Sequence, residues 1–384
     1  MRLSRDPAAR RRLLILCAVA IVAALAGAFV GSRGDGARSP ATGAPSAGAE
    51  PRRPPPATRL TLEQQVGQVL VMSFDGVQAP EYIRRRLRSG EGAGVILFGA
   101  NVPDARSLKA LTAGLQRAAR GGALVATDQE GGQIRSVGFA PPQPSQAALG
   151  SPEAARTAAS SAARALREGG VNVNLAPVAD VATSGSVLSA RAYPGGARSV
   201  GSIMAAAVRA HAREGVAATI KHFPGLGRAT QNTDDAPATI DARRSDLEGS
   251  DLVPFRVAAG ANVPLVMTSH ALYPALDRDR IASQSPIVIE RLLRRDLGFR
   301  GAVITDSIEA QAVLARSGVA VAAERSLEAG ADLVLMTGSG SWSQVYPRLL
   351  RRARASSSFR ARVGEAAGRV LELKRRLRLR APRS

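Results

Sequence analysis

The sequence is poor in cysteine, histidine and aromatic residues, and each shortage narrows what the protein can be. Cys17 is the only cysteine among the 384 residues, so no disulfide can form within one chain. Aromatic residues make up 3% of the chain, and no zinc-finger, RNP or helix-turn-helix pattern occurs. We therefore do not expect nucleic acid to be a partner.

Lysine is scarce as well, and arginine carries most of the formal net charge of +21. The lysines are Lys109, Lys221 and Lys374. An arginine-rich surface favours polyanions, which outside a bacterial cell are anionic wall polymers and lipid head groups. A compositional preference for arginine over lysine is the alternative interpretation.

The first 57 residues have the composition of an export segment followed by a tether. Residues 1–12 form a basic head, and residues 13–30 form an apolar run that is long enough to cross a bilayer as a helix. The basic head predicts a cytoplasmic start and an exported remainder, which is either anchored in the membrane or secreted after cleavage of a signal peptide. Residues 31–57, rich in Gly, Ala and Pro, predict a disordered linker. We expect the folded domain to span residues 58–384.

Short apolar runs alternate with stretches of helical spacing in this domain. Eight runs indicate buried strands, at 69–74, 95–98, 124–127, 171–176, 217–220, 265–268, 302–305 and 333–336. The stretches between them suit crossover helices, at 107–120, 152–168, 200–214, 247–261, 287–297 and 319–330. This pattern predicts an α/β fold, a parallel sheet closed into a (β/α)8 TIM-type barrel, with an open doubly wound sheet as the alternative. A last helix, at about 359–377, is expected to pack outside the barrel.

Polar side chains follow several predicted strands, at the face where barrel enzymes build their active sites. They are Asp128 after the third strand, Lys221 and His222 after the fifth, His270 after the sixth and Asp306 after the seventh. A carboxylate directly after four apolar strand residues has no structural reason to be acidic, which makes Asp128 and Asp306 functional candidates. His270 could instead support the backbone, and Asp180 could cap a turn.

Motifs of several other chemistries are missing. The sequence has no His-x-His, no His-Glu-x-x-His, no Gly-x-Ser-x-Gly elbow and no complete dinucleotide or Walker pattern. We expect no metal and no other cofactor. Carboxylates beside a cationic pair are the equipment for splitting a glycosidic bond through an oxocarbenium-like transition state.

The ordered strand-end motifs resemble those of the family-three glycoside hydrolases, and among them the single-domain β-N-acetylhexosaminidases. The resemblance covers nearly all of residues 60–377. It is carried by Asp128-Gln129-Glu130-Gly131-Gly132, Asn174-Leu175-Ala176-Pro177-Val178, Lys221-His222-Phe223-Pro224-Gly225, His270, Gly301-Ala302-Val303-Ile304-Thr305-Asp306 and Ala329-Gly330-Ala331-Asp332. It implies a (β/α)8 barrel and a retaining mechanism without a cofactor.

The resemblance also implies roles for single residues. Asp306 matches the nucleophile, and the residues that match the sugar-holding set are Asp128, Arg191, Lys221 and His222. His270 and Arg135 are further candidates for substrate binding. The family usually carries an arginine eight positions after the first Asp of Asp-Gln-Glu-Gly-Gly, where this chain has Ser136 directly after Arg135.

The loop after Lys221-His222 departs from the family pattern. The second histidine of Lys-His-Phe-Pro-Gly-His-Gly is Leu226 here. The hexosaminidase branch also has Asp-Ser-His on this loop, with the histidine as general acid/base, whereas this chain has Asn232-Thr233-Asp234 in register and then Asp235. We expect Asp234 to act as the acid/base, with Asp235 as the second candidate, if burial or a nearby charge raises its pKa.

These observations predict an exported retaining β-N-acetylhexosaminidase that acts on cell-wall-derived β-N-acetylglucosaminides. The alternative is a catalytically impaired barrel that binds or senses wall sugars, which the missing Asp-Ser-His favours and the retained Asp306 opposes. A phosphorylase that uses inorganic phosphate is a third, more remote possibility.

Overall fold

Apolar and β-branched residues fill eight short strands, which are buried on both faces because one face packs inside the barrel and the other lies under helices. A computed structural model describes residues 59–382, and in it the strands pair in parallel and close into a barrel. They are β1 (Leu70–Met72), β2 (Gly94–Leu97), β3 (Leu124–Thr127), β4 (Val173–Asn174), β5 (Ala217–Phe223), β6 (Leu265–Thr268), β7 (Ala302–Ser307) and β8 (Leu333–Leu335). The predicted barrel is confirmed, and the open doubly wound sheet is wrong.

Helices cover the outside of the barrel between successive strands. They are α1 (Leu62–Gly67), α2 (Glu81–Ser89), α3 (Ala105–Ala118), α4 (Pro152–Glu168), α5 (Ala197–Arg213), α6 (Val253–Gly260), α7 (Gln311–Leu314), α8 (Val319–Glu328), α9 (Ser341–Ala355) and α10 (Ser357–Arg376). The segments Leu247–Asp251 and Ile287–Asp296 are π-helical. The sequence pattern predicted no helix at the positions of α1, α2, α7 and α9.

Two strands extend further toward their carboxyl ends than the sequence predicted. β5 continues through Lys221 and His222 to Phe223. Its extension is held by backbone hydrogen bonds from Ala179 N to Lys221 O (2.6 Å) and from Ser269 N to Phe223 O (2.8 Å). β7 likewise includes Asp306. These charged residues therefore lie on the rigid barrel wall rather than in loops.

Helix α10 packs against the amino-terminal end of the barrel. Its Val370 and Leu373 join the apolar cluster that fills the barrel interior. Lys374 is buried there and donates a 2.6 Å hydrogen bond to Gln68. The opposite end, where the strands finish, is left free for a site.

The predicted basic head (1–12), apolar run (13–30) and linker (31–57) lie outside the described residues. Within residues 59–382, no helix combines the length and the apolar character that crossing a membrane requires.

Candidate active site

Four charged side chains from three strand ends form one ion-pair cluster at the carboxyl face. Lys221 Nζ lies 2.6 Å from Asp128 Oδ1 and 2.7 Å from Glu130 Oε1. Arg191 grips Glu130 with two hydrogen bonds, of 2.9 Å from Nε and 2.7 Å from Nη2. Bidentate, charge-assisted pairs of this kind fix geometry strongly. The cluster brings together three of the predicted sugar-holding residues and adds Glu130.

Burial and charge decide the ionisation of this cluster. Burial of Glu130 favours its neutral form, but Lys221 and Arg191 outweigh burial and lower its pKa to about 2. Burial of Lys221 also opposes charge, yet Asp128 and Glu130 outweigh it and raise the pKa of Lys221. Glu130 and Lys221 are therefore charged near neutral pH, and the cluster presents a preset array of donors and acceptors.

Asn174 at the end of β4 holds the neighbouring Asp-Gln-Glu segment in place. Its side-chain amide accepts a hydrogen bond from Gln129 N (3.0 Å) and donates one to Gln129 O (3.1 Å). The same amide donates to Nε2 of His211 at 2.9 Å, and Nδ1 of His211 donates to Ala207 O at 2.9 Å. His211 thus lies inside α5 as a support for β4, away from the strand-end cluster.

His222 is oriented by Asp180. The imidazole Nδ1 donates to Asp180 Oδ2 at 2.7 Å, and the backbone N–H of His222 donates to the same oxygen at 3.1 Å. The other oxygen of Asp180 accepts the N–H of Leu226 at 2.6 Å. Asp180 is fully buried, and both of its carboxylate oxygens accept hydrogen bonds from protein groups. Nε2 of His222 is left 3.9 Å from Asp306 Oδ2.

Asp306 stands at the end of β7, with its side chain 20% exposed to the cleft. Its Oδ1 accepts the N–H of Ser307 at 2.8 Å. Burial alone would raise the pKa of Asp306, but His222, His270 and Lys221 lie close enough to lower it below its ordinary value. An ionised carboxylate on a rigid strand end is what nucleophilic attack on a sugar requires.

His270 supports the backbone beside Asp306. Its Nδ1 lies 2.8 Å from Ser283 Oγ, and its Nε2 lies 2.8 Å from the carbonyl oxygen of Ser307. The ring is 1% exposed, and burial lowers its pKa. This geometry matches the supporting role that the sequence left open for His270.

The loop that carries Asp234 docks onto the start of α7. The carbonyl oxygens of Thr233 and Asp234 accept the N–H groups of Ala312 and Gln311, each at 3.1 Å. Because α7 directly follows β7, this docking brings Asp234 within electrostatic reach of Asp306. Asp234 is exposed to solvent, as Asp235 is, but the protein atoms packed around its carboxyl group, and then the negative charge of Asp306, raise the pKa of Asp234 above its ordinary value.

Residues 61–373 match the family model described as Glycosyl hydrolase family 3 N terminal domain. The chain belongs to glycosyl hydrolase family 3. It is similar to an "Uncharacterized secreted glycosyl hydrolase" of Arthroderma benhamiae, with 34% identity over 301 residues, which cover 74% of this chain and 84% of that relative. It is also similar to a "Beta-hexosaminidase" of Xanthomonas oryzae pv. oryzae, with 33% identity over 278 residues, which cover 70% and 83% of the two chains.

A solved glycoside hydrolase family 3 beta-N-acetylglucosaminidase from Paenibacillus sp. has the same barrel. The TM-score is 0.79 at 35% identity, and the match covers 85% of this chain and 64% of that chain. This family 3 chain therefore spans a little less than two thirds of that enzyme's length. The resemblance inferred from the strand-end motifs is confirmed.

Two predicted site residues of this family 3 barrel make no hydrogen bond or ion pair with the cluster in the described part of the chain. Arg135 donates to Gln143 Oε1 at 2.5 Å and to the carbonyl oxygen of Gly138, within its own loop. Asp235 is exposed, and its N–H donates to Asn232 O at 3.1 Å. Within residues 59–382, no group of three or more His, Cys, Asp and Glu side chains could hold a metal ion.

Glu130 lies within the Asp128–Gly132 motif, for which the sequence predicts a role only at Asp128. Glu130 proves to be the buried partner of both Arg191 and Lys221, with its side chain 1% exposed. The sequence contains one signal for this role. Glu130 stands two positions after Asp128, and side chains two positions apart in a strand lie on the same face.

Proposed function

We propose that this protein is a retaining β-glycoside hydrolase of the β-N-acetylhexosaminidase type. The observation that carries the proposal is the pair of carboxyl groups, Asp306 and Asp234, whose pKa values are shifted in opposite directions. Environments that push two acidic groups apart in this way assign one as the ionised group and the other as the acid. The family and the beta-hexosaminidase relatives support the same activity.

In the first step, Asp306 attacks the anomeric carbon while Asp234 gives its proton to the glycosidic oxygen, so the aglycone leaves as an alcohol. The sugar is then bound to Asp306 through an ester. In the second step, Asp234, now a carboxylate, takes a proton from water, and the water oxygen attacks the anomeric carbon and releases Asp306. Two displacements retain the β configuration.

The ion-pair cluster has the character of a sugar clamp. Lys221 and Arg191 offer donors, Asp128 and Glu130 offer acceptors, and all four are fixed before substrate arrives. Fixed charged hydrogen bonds to ring hydroxyls position the anomeric carbon against Asp306 and avoid the cost of ordering during reaction. His222 contributes Nε2, which lies 3.9 Å from Asp306 Oδ2. His270 holds the carbonyl of Ser307 and thereby the strand end.

The substrates we propose are β-N-acetylglucosaminides derived from the cell wall, since the sequence predicts export of the domain. The basic head and the apolar run at 13–30 support export, and one relative is described as secreted. Membrane anchoring through residues 13–30 remains part of this proposal. The mass of the amino terminus, measured after fractionation of cells into membrane and soluble pools, distinguishes an anchor from a cleaved signal.

Release of nitrophenol from p-nitrophenyl β-N-acetylglucosaminide tests the activity directly. We expect turnover by the wild type and its loss in Asp306→Ala with the fold intact by circular dichroism. A proton NMR spectrum of the first sugar product tests the stereochemistry, and initial formation of the α-anomer would contradict a retaining mechanism. Turnover that depends on inorganic phosphate would identify a phosphorylase instead.

A further inference from the structure

The amino-terminal end of the barrel carries a basic groove, which we define as the space between residues 376–379 and the loops that precede β3, β4 and β5. Its volume is about 570 Å³. Four arginines line it and, within the described residues, no acidic side chain does: Arg167, Arg213, Arg376 and Arg378. The groove lies at the opposite end of the strands from Asp306, so a ligand bound there leaves the cleft free.

Two of the four arginines that line the groove form no ion pair and no side-chain hydrogen bond within the described residues. Arg376 lies 3.2 Å from Glu372, and Arg167 donates to the backbone oxygen of Glu214 at 2.7 Å. Arg213 and Arg378 are exposed and make no ion pair or side-chain hydrogen bond with any other residue of the 59–382 segment. Unpaired guanidinium groups at the rim of a groove are available to an external anion.

The positive charge extends beyond the groove along the same end of the barrel. Further arginines there form no ion pair with a described carboxylate: Arg117, Arg120, Arg300 and Arg380. Arg380 is tied to the groove wall, because its N–H donates to Gly121 O at 3.0 Å. Of the acidic side chains beside the groove, Glu214 is engaged by Arg164 at 3.3 Å and Glu372 by Arg375 at 2.7 Å, whereas the exposed Glu168, next to Arg167, makes no ion pair within the described residues.

We infer that the basic groove and its flanking arginines bind the anionic phospholipid head groups of a membrane surface. The inference rests on the export proposed above, because the domain must lie outside the cytoplasm and close to a bilayer. Residues 31–58 separate the apolar run from the domain, so an anchor in the membrane would keep the domain close to its surface. Short tethers of this kind raise the local concentration of a domain at its surface to roughly millimolar.

The point where the tether meets the domain supports this geometry. Leu60, near the start of the described chain, packs against Ala367 and Leu371 of α10. The same helix continues to Arg376 at the groove. Docking of this end would direct the carboxyl ends of the strands, with Asp306, away from the membrane and toward the wall.

A lipid surface fits the arrangement better than a linear polyanion does. The arginines are spread over one end of the barrel, so a flat anionic surface can meet many of them at once. No aromatic side chain lines the groove within the described residues, so the stacking that proteins use to hold single-stranded nucleic acid is missing there.

The test is flotation of the full-length chain with preformed vesicles of pure phosphatidylcholine or of phosphatidylcholine and phosphatidylglycerol at 7:3. The double variant Arg213→Gln/Arg378→Gln removes the unpaired charges of the groove. Its matched control is Arg278→Gln/Arg280→Gln, which removes two exposed arginines from the hairpin after β6, at the other end of the barrel. Any insertion of residues 13–30 is common to all three proteins and to both lipids.

We expect the wild type and the control to prefer the anionic vesicles, and the groove variant to lose roughly tenfold or more of that preference. We also expect hydrogen exchange in 169–172 and 212–215 to slow only with anionic vesicles. Equal losses in both double variants, or an unchanged preference in the groove variant, would overturn the inference. Protection by soluble polyglycerol phosphate but not by vesicles would identify a polymer as the ligand and would also overturn it.

Nitrophenyl glycosidase activity, measured in the same samples, separates this inference from the proposed function. Loss of lipid preference with full activity leaves the hydrolase proposal intact. If the wild type is inactive but still shows the groove-dependent lipid preference, the hydrolase proposal is rejected and the lipid-binding inference is supported.

Discussion

Asp180 accepts the Nδ1 proton of His222 at 2.7 Å, which leaves Nε2 as the ring nitrogen that faces the cleft. The two residues are 42 positions apart in the chain: Asp180 lies in the loop after β4, and His222 lies in the neighbouring strand β5. Asp180, which is buried in the barrel wall, thereby fixes both the tautomer and the orientation of His222, a proposed sugar-binding residue.

Replacing Asp180 by Asn tests this positioning role. The amide has one acceptor oxygen in place of two and adds an N–H₂ group that cannot accept the Nδ1 proton, so we expect kcat/KM to fall on the order of 10²-fold. Asp241→Asn, at an exposed position, is the control. A folded Asp180→Asn protein with unchanged kcat/KM would contradict the role.

Asp234 should matter most for substrates with poor leaving groups. We expect Asp234→Asn to lose about 10²- to 10⁴-fold in kcat/KM on an N-acetylglucosamine disaccharide and much less on the nitrophenyl glycoside, whose aglycone needs little protonation. Asp235→Asn is the matched control and should change both substrates little. Equal losses on the two substrates would argue against an acid role for Asp234.

The raised pKa of Asp234 also predicts the direction of a pH effect. The acid must be protonated at the start of the first step, so kcat/KM should fall as pH rises through this pKa. The descending limb should be missing from the pH profile of Asp234→Asn on the nitrophenyl substrate. A descending limb that persists unchanged in Asp234→Asn would show that a group other than Asp234 causes it.

Glu130 should support both stability and activity. In Glu130→Gln the buried charges of Lys221 and Arg191 lose their shared carboxylate partner. Removing one member of a buried ion pair lowers the free energy of unfolding by about 3–5 kcal/mol. The folded-state pKa of about 2 lies below the ordinary 4.5, so the pair's stabilisation is complete above about pH 4.5 and is lost as pH falls toward 2. Urea unfolding at pH 7 and pH 3 measures this, with Glu168→Gln as the exposed control. A variant as stable as the wild type at pH 7 would contradict the account.

We expect substitution of the buried Lys374 to increase the stability of the folded protein. Burial lowers its pKa to about 7 from the ordinary 10.5, so between these values the unfolded chain binds a proton that the folded chain does not, and stability rises with pH. Lys374→Met removes the cost of burying the charge, and we expect a net gain on the order of 1–3 kcal/mol at pH 6 after the loss of the hydrogen bond to Gln68. The gain should shrink by pH 10. Equal effects at both pH values would show that the ammonium is not the cause.

The sequence predicts the barrel well because each strand is a local apolar run, and local runs can be recognised without knowing the partners. Helix α9 was missed since Pro347 lies inside it and its outer face is rich in arginine. The lengths of β5 and β7 depend on hydrogen bonds to neighbouring strands, which no local pattern contains.

The site was predicted in part for the same reason. Asp306 and Lys221 stand out as candidates in the sequence because a charge directly after a strand is unusual. The partnership of Glu130 with Arg191 joins positions 61 residues apart, and that of Lys221 with Asp128 joins positions 93 apart, so neither can be inferred from spacing alone. The closeness of Asp234 to Asp306 likewise depends on the docking of its loop onto α7.

Trapping of the covalent intermediate tests the central claim most directly. A 5-fluoro derivative of β-N-acetylglucosaminyl fluoride should inactivate the enzyme in a time-dependent manner. The anomeric fluoride leaves in the first displacement, and the fluorine that remains at C5 slows the second displacement more than the first. Peptide mass spectrometry should then locate one added sugar on Asp306, and the Asp306→Ala protein should gain none. An adduct on another carboxylate would contradict the assignment of the nucleophile. Catalytic turnover of the nitrophenyl glycoside with no adduct on any residue would contradict the proposed two-step mechanism.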